Sequence, residues 1–313
     1  VERLRFVEDV PPNGYAWWYA DAFSHDRRYG LTVIAFIGSV FSPYYAKQRA
    51  GGALADPTQH CAFNIALYGP GVRRWAMTER SGLSLKRAAD GLQIGESSIQ
   101  ANGGSVTLTV LEKTAIAGSQ VAGTITLTPA VETTFTKAVD GKGRHYWRPI
   151  APDVRVAVQL NSPALSWEGR GYFDMNFGAE PLEAAFTTWN WARVASDRDL
   201  GIFYDLKCRD ASAVSLALDI ATDGTVTESE APFTKGMPRT AIWQMPRQVA
   251  CDAHDTFPRA LATLEDTPFY SRSAIATRLK GREAHGMHES LSLDRLTMRW
   301  VQTLLPYRMP RIA

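Results

Sequence analysis

The sequence predicts an all-β protein built from antiparallel strands in two domains. From Tyr15 to about Ile220, short runs rich in Val, Ile, Thr and aromatic residues alternate with Gly, Pro, Asn and Asp, the pattern of strands separated by turns. No amphipathic helices intervene to make the crossovers that a parallel α/β sheet requires, which leaves sandwiches or barrels. The length, 313 residues, exceeds the usual size of one domain, so two are expected, each with its own core.

Period-two alternation is clearest in Ser105–Leu111, Thr124–Thr128, Val154–Leu160 and Val214–Ile220, each of which should bury one face and wet the other. Turn signals punctuate the runs at Gly69-Pro70-Gly71, Asp90-Gly91, Asn102-Gly103-Gly104, Asp140-Gly141 and Asp223-Gly224. At mid-chain the step His145-Tyr-Trp-Arg-Pro149-Ile-Ala-Pro152 interrupts the strand pattern, and a new alternating series follows it. This places the expected boundary there, between an N-terminal β-domain, 1–150, and a C-terminal β-domain, 151–313, with a ligand cleft between them. One short C-terminal helix is expected where Leu293, Leu296, Trp300, Val301 and Leu304 recur at helical spacing, stopped by Pro306, with the stripe serving packing.

Composition excludes several classes. Hydrophobic residues make up 45% and charged residues 21%, ordinary for a folded globule. Net charge is +2 without a run of like charges, which argues against nucleic-acid binding. Local basic spots, Arg73-Arg74 and Arg308 with Arg311, read as solvated surface charge before lipid contacts. Cys61, Cys208 and Cys251 form no C-x-x-C spacing and leave an odd thiol, which fits a reducing, cytoplasmic setting. The first residues carry no apolar signal region, and the longest apolar stretch, Leu31–Phe41, is short of a membrane span. His285 and His288 lack the partners of a zinc motif, and no G-x-S-x-G elbow or phosphate loop is present. No metal or cofactor is expected.

The segment Trp167–Asp174 reads as a strand, so Tyr172 and Asp174 point to one face and Phe173 to the other. Buried among aromatics, such a carboxyl group would stay protonated near neutral pH and could donate a proton. The pattern alone fits an Asp capping the turn at Met175–Gly178 more readily. His145 and Trp147 have the same i, i+2 relation and could face the same cavity. Each taken singly is more often a structural residue. Core packing explains most of the other aromatics, including Tyr15, Trp17, Trp18 and Tyr19, although a subset lining a deep pocket would suit a long polyene and could stabilise a carbocation.

Four motifs in order carry a resemblance: Asn13-Gly-Tyr-Ala-Trp-Trp-Tyr-Ala-Asp21, Tyr68-Gly-Pro-Gly-Val-Arg-Arg-Trp-Ala-Met-Thr-Glu-Arg80, His145-Tyr-Trp-Arg-Pro-Ile-Ala-Pro152 and Gly171-Tyr-Phe-Asp-x-Asn176. Together they resemble the carotenoid 1,2-hydratases, also called hydroxyneurosporene synthases, and the similarity runs from Asn13 to Pro310. The resemblance implies two lipocalin-like β-domains. It also implies cofactor-independent addition of water across the terminal C1=C2 bond of acyclic carotenoids such as neurosporene and lycopene. The implied catalytic set is Asp174 as proton donor with Tyr172, His145 and Trp147 around it. An apolar substrate implies peripheral contact with the inner, photosynthetic membrane or with other carotenoid enzymes. Two further readings share the architecture: a pericyclase or cyclase that folds a polyene, and a non-catalytic carrier of carotenoid or lipid.

Overall fold

A computed structural model of the chain describes residues 4–52, 54–196 and 199–312. Turn residues set the strand boundaries. Strands β1 (Tyr15–Ser24) and β2 (Gly30–Ile37) pair first; helix α1 (Pro43–Ala50) then leads to β3 (Cys61–Tyr68) and β4 (Arg74–Arg80), which flank Gly69-Pro70-Gly71. A meander follows through β5 (Leu85–Ala88), β6 (Gly91–Ile94), β7 (Ser97–Asn102), β8 (Ser105–Lys113) and β9 (Gln120–Val131). The β7–β8 hairpin closes on Gly103 and Gly104, both at positive φ (46° and 96°), as a two-residue hairpin turn demands. A short β10 (Lys137–Ala138) precedes the two longest strands, β11 (His145–Ser162) and β12 (Ala164–Gly178).

The chain then enters a second sheet made of β13 (Phe186–Ala195), β14 (Leu200–Cys208), β15 (Ala213–Ile220) and β16 (Val226–Ser229), after a single turn of helix, α2 (Leu182–Ala185). A separate pair, β17 (Phe233–Met237) with β18 (Arg247–Cys251), packs Met237, Val249 and Ala250 into that sheet's core. Strands β19 (Arg259–Asp266), β20 (Tyr270–Leu279) and β21 (Arg282–Ser292) complete it, before helices α3 (Leu293–Leu296) and α4 (Arg299–Arg308) and a final strand β22 (Arg311–Ile312).

Two compact units result: residues 1–181 with 303–313, and residues 182–302. Among the described residues the first holds a 13-stranded sheet ordered β22-β4-β3-β2-β1-β12-β11-β9-β8-β7-β6-β5, with β10 on β11. The sheet curls so that β4 reaches β8, where Arg80 Nη2 meets Glu112 Oε2 at 2.9 Å and Ser97 donates to Oε1 at 2.9 Å. Burial pushes the Glu112 carboxyl up, and the Arg80 guanidinium and Ser97 hydroxyl hold it down. The second unit holds a seven-stranded sheet ordered β16-β15-β14-β13-β21-β20-β19. The fold is all-β and lipocalin-like, with curled antiparallel sheets and short helices.

Three details differ from the sequence expectation. The Pro149–Pro152 step lies inside β11, with the chain dividing instead after Pro181. Prolines cannot donate to a ladder, so the run reads as a break; here the β11–β12 register shifts twice, between Arg148, Ala151 and Val154, and these bulges admit the prolines without ending the strand. Pro306 sits within α4 and does not stop it, because it falls in the last turn and Met309 N–H still reaches Leu305 O at 2.8 Å. Of the helical stripe, Leu293, Leu296 and Val301 are buried, whereas Trp300 and Leu304 are 46% and 50% exposed and lie outside the core.

Candidate active site

Strand β1 explains how one sheet carries both a core and a site. Its even residues, Ala16, Trp18, Ala20 and Ala22, join the main apolar core with Leu31, Val33, Phe173 and Met175. Its odd residues, Tyr15, Trp17, Tyr19 and Asp21, take the other face, since side chains alternate along a strand. Register places Tyr19 opposite Asp174, Asp21 opposite Tyr172 and Trp17 opposite Asn176 on β12. On the far side of β12, Trp147 lies opposite Asn176 and His145 opposite Gly178. This second face is also buried, which is why β2 and β3 read as mainly apolar runs without alternation, interrupted by the buried Thr32 and Asn64.

Asp174 lies at the centre of this face, 2% exposed. Its Oδ2 accepts a hydrogen bond from Tyr172 OH at 2.8 Å and another from Trp147 Nε1 at 2.9 Å, and the indole N–H also lies 3.2 Å from the phenol oxygen. Trp147 and Tyr172 are fully buried. Around them the Tyr19 ring meets Tyr172 at 6.2 Å and 61°, Phe135 meets Trp147 at 6.4 Å and 74°, and Trp17 meets Phe36 at 6.2 Å. The strand does not end in a capped turn after Asp174; β12 continues through Gly178.

His145 shares the face of Trp147 but stands further along it. Its partner across the ladder is Gly178, four residues from Asp174, or about 13 Å of extended backbone. Tyr15 OH lies 2.9 Å from His145 Nδ1, and Glu180 Oε1 lies 3.5 Å from Nε2. With a carboxylate on the Nε2 side, the neutral ring carries its proton there and Nδ1 accepts from Tyr15. Burial lowers the His145 pKa, against the opposing pull of Asp140 and Glu180. Burial also pushes the Tyr15 phenol well above its ordinary value, helped by the same two carboxylates. Both groups are therefore neutral near pH 7. Gly178 permits their contact: a Cβ there would fall 2.7 Å from the Tyr15 ring and 2.8 Å from His145 Nδ1.

The four residues expected from sequence thus fall on one buried face, three in direct contact and His145 in a neighbouring pair. Tyr15 and Tyr19, which the sequence pattern assigns to core packing, join the row with Asp21 and Asn176. The signal for the first three was the period-two placement of polar and aromatic residues at 15, 17, 19 and 21, masked by the apolar residues between them. His285 and His288, three apart on β21, point to opposite faces and cannot converge on one ion. His288 is buried, with Nε2 at 2.8 Å from Gln248 O, and burial pushes its pKa down to about 4.

The sequence profile of the family described as carotenoid hydratase CrtC matches residues 33–313. A protein from Thiocapsa roseopersicina named acyclic carotenoid 1,2-hydratase is 47% identical over 310 residues, and one of the same name from Rubrivivax gelatinosus is 40% identical over 314. Each alignment covers 99% of this chain and 76% of the relative. Kievitone hydratase from Nectria haematococca superposes with a TM-score of 0.56 at 10% identity, over 91% of this chain and 92% of its own. A Nitrosomonas europaea protein assigned to AttH superposes with a TM-score of 0.62 at 15% identity, over 88% of this chain and 91% of its own. Identities this low show a shared fold and nothing about chemistry. The family match and the two relatives aligned over 99% of this chain show more: the chain belongs to the carotenoid hydratase CrtC family and, as a member of it, is an enzyme of the hydro-lyase class.

Proposed function

We propose that this enzyme adds water across the terminal C1=C2 bond of an acyclic carotenoid such as neurosporene or lycopene, and that Asp174 supplies the proton. The observation that carries the reading is the buried Asp174 carboxyl group with Trp147 and Tyr172 both bonded to Oδ2. Protonating a trisubstituted alkene at C2 leaves a tertiary cation at C1. Water then adds its oxygen to C1, and the resulting oxonium returns a proton to the Asp174 carboxylate, which restores the acid. One water is consumed, one C–H and one C–O bond form, and no electrons are exchanged, so the step requires no cofactor.

The environment suits both ends of that step. Desolvation favours the neutral acid before transfer, and the two N–H and O–H donors stabilise the carboxylate after it. The π-electrons of Trp147, Tyr172 and Tyr19 stabilise positive charge nearby and hold bulk water away. In this reading the neutral His145, tied to Tyr15, orients the incoming water from further along the face. No helix of the described chain is long and apolar enough to cross a membrane. In this reading the insoluble polyene reaches the enzyme by peripheral contact with a membrane or from another enzyme.

Incubation of the purified chain with lycopene in detergent micelles, followed by mass analysis, tests the reading. The expected product has gained one or two waters and carries a tertiary alcohol. An isomerised or cyclised product of unchanged mass would point to polyene folding instead, and recovery of bound but unaltered pigment would point to a carrier.

A further inference from the structure

Helix α4 carries two apolar stripes, and packing accounts for one of them. Val301 and Leu305, four apart, are buried at 1% and 6% exposure. Trp300, Leu304 and Tyr307, spaced by four and three, are 46%, 50% and 73% exposed. A helix in a folded protein ordinarily needs one such stripe. The second is extended by a turn in the same unit as Trp300, where Ile242 is 74% and Trp243 37% exposed. Trp243 stacks on Trp300 with ring centroids 5.8 Å apart and planes at 26°.

That turn is built to present these side chains. The Asp266 carboxylate accepts the backbone N–H of Ile242 at 2.8 Å and of Trp243 at 3.3 Å. Arg295 donates to the Trp243 carbonyl at 2.8 Å. The backbone is fixed from both sides and the apolar groups face outward.

Charge decides what the surface meets. Segments 239–244 and 298–308 contain Arg239, Arg299 and Arg308 and no acidic residue; with Arg295 and Asp266, which hold the turn, four positive groups stand against one negative. Asp266 is already engaged by the turn it holds, and the exposed Asp294 is paired with Arg209 at 3.0 Å. Two copies of so basic a patch repel, which disfavours a self-contact. Exposed Trp and Tyr flanked by Arg suit the headgroup level of an anionic bilayer, where rings straddle the apolar boundary and guanidinium groups meet phosphate. We propose that Ile242, Trp243, Trp300, Leu304 and Tyr307, flanked by these arginines, dock the enzyme on an anionic lipid surface, the phase in which its polyene substrate dissolves. The identity of that cargo rests on the hydration reading; the docking itself does not depend on turnover.

The test uses the full chain and pigment-free phosphatidylcholine vesicles, with and without phosphatidylglycerol, at low ionic strength. The protein should co-sediment with the anionic vesicles, with its tryptophan emission shifted to the blue. The double variants Trp243→Ser/Trp300→Ser and Leu304→Ser/Tyr307→Ser should each lose about tenfold or more in partitioning while keeping circular dichroism and detergent turnover. Arg299→Gln should weaken binding to anionic vesicles and leave neutral ones unchanged. Wild-type protein that stays in the supernatant with both vesicle types overturns the proposal, as do double variants that bind like wild type. A dimer by light scattering that the double variants dissolve would assign the patch to a second copy and overturn it too. Because the vesicles hold no pigment, failure of hydration in detergent would remove the hydration reading and leave the docking result standing.

Discussion

A carboxyl group that protonates an alkene must be neutral before the step and stabilised as an anion after it, and the two demands fall on different neighbours. For the step proposed at Asp174, aromatic burial would serve the first; the Tyr172 hydroxyl and Trp147 indole N–H, both on Oδ2, would serve the second. A hydrogen bond to a charged group contributes about 1.5–3 kcal/mol, so Tyr172→Phe should slow turnover by roughly ten- to a hundredfold. Trp147→Leu removes a donor and a ring together and should cost at least as much, though less than loss of the acid itself. Saturating turnover with lycopene, alongside thermal melts showing both variants folded, checks the pair. Wild-type rates in Tyr172→Phe would mean that the phenol does not hold the anion. The i, i+2 spacing of Tyr172 with Asp174 and of His145 with Trp147 was legible in the sequence because a strand's period is fixed locally. The Tyr15–His145 contact was not: 130 residues separate the partners, and only the β1–β12–β11 register brings them together.

Strand β12 separates Tyr15 from His145, and the absence of a side chain at Gly178 is what lets them meet across it. Gly178→Ala should force that pair apart and destabilise the fold by about 1–3 kcal/mol, read as a lower denaturation midpoint with turnover reduced through His145. A variant with unchanged midpoint and rate would show that the pair is dispensable. The curl of the sheet makes a second element-level prediction at the β4–β8 contact. Arg80→Met leaves Glu112 buried without its partner, which costs about 3–5 kcal/mol. Replacing both residues by apolar ones should recover much of that loss, and a double variant as unstable as the single would contradict the ion-pair account. Strands such as β8 and β15 were readable because their alternation survives intact. Strand β11 reads as two segments because proline chemistry signals a break, and nothing local reveals that bulges would absorb it. The outward stripe of α4 reads as packing for a related reason, since helical periodicity gives the spacing of apolar residues and not which way they face.

Across the whole molecule, stability should depend on pH through its buried imidazoles. His288 titrates near 6.5 when unfolded and is pushed down to about 4 in the fold. Above about pH 6.5 neither state binds the proton and the group contributes nothing. Between about 6.5 and 4 the unfolded chain binds it preferentially, so stability falls with pH, by up to about 3 kcal/mol. His145, also lowered by burial, acts in the same direction. Denaturant melts near pH 7 and near pH 4.5 should show this loss, and His288→Gln should flatten it; an equal slope in the variant would exclude His288 as its source. Fold class and family were within reach of the sequence, because each rests on local pattern or contiguous motif. The division into units after Pro181 and the return of residues 303–313 to the first unit depend on long-range pairing, including β22 on β4, which no local signal encodes.

Replacing Asp174 by Asn asks whether this carboxyl group delivers the proton. The amide keeps the size of the side chain and can still accept from Tyr172 and Trp147, so the fold should persist by circular dichroism and thermal melt. With lycopene in detergent, hydration should fall by at least about a hundredfold, the low end for removing a general acid. A folded Asp174→Asn enzyme that forms the tertiary alcohol at a rate near wild type would contradict it.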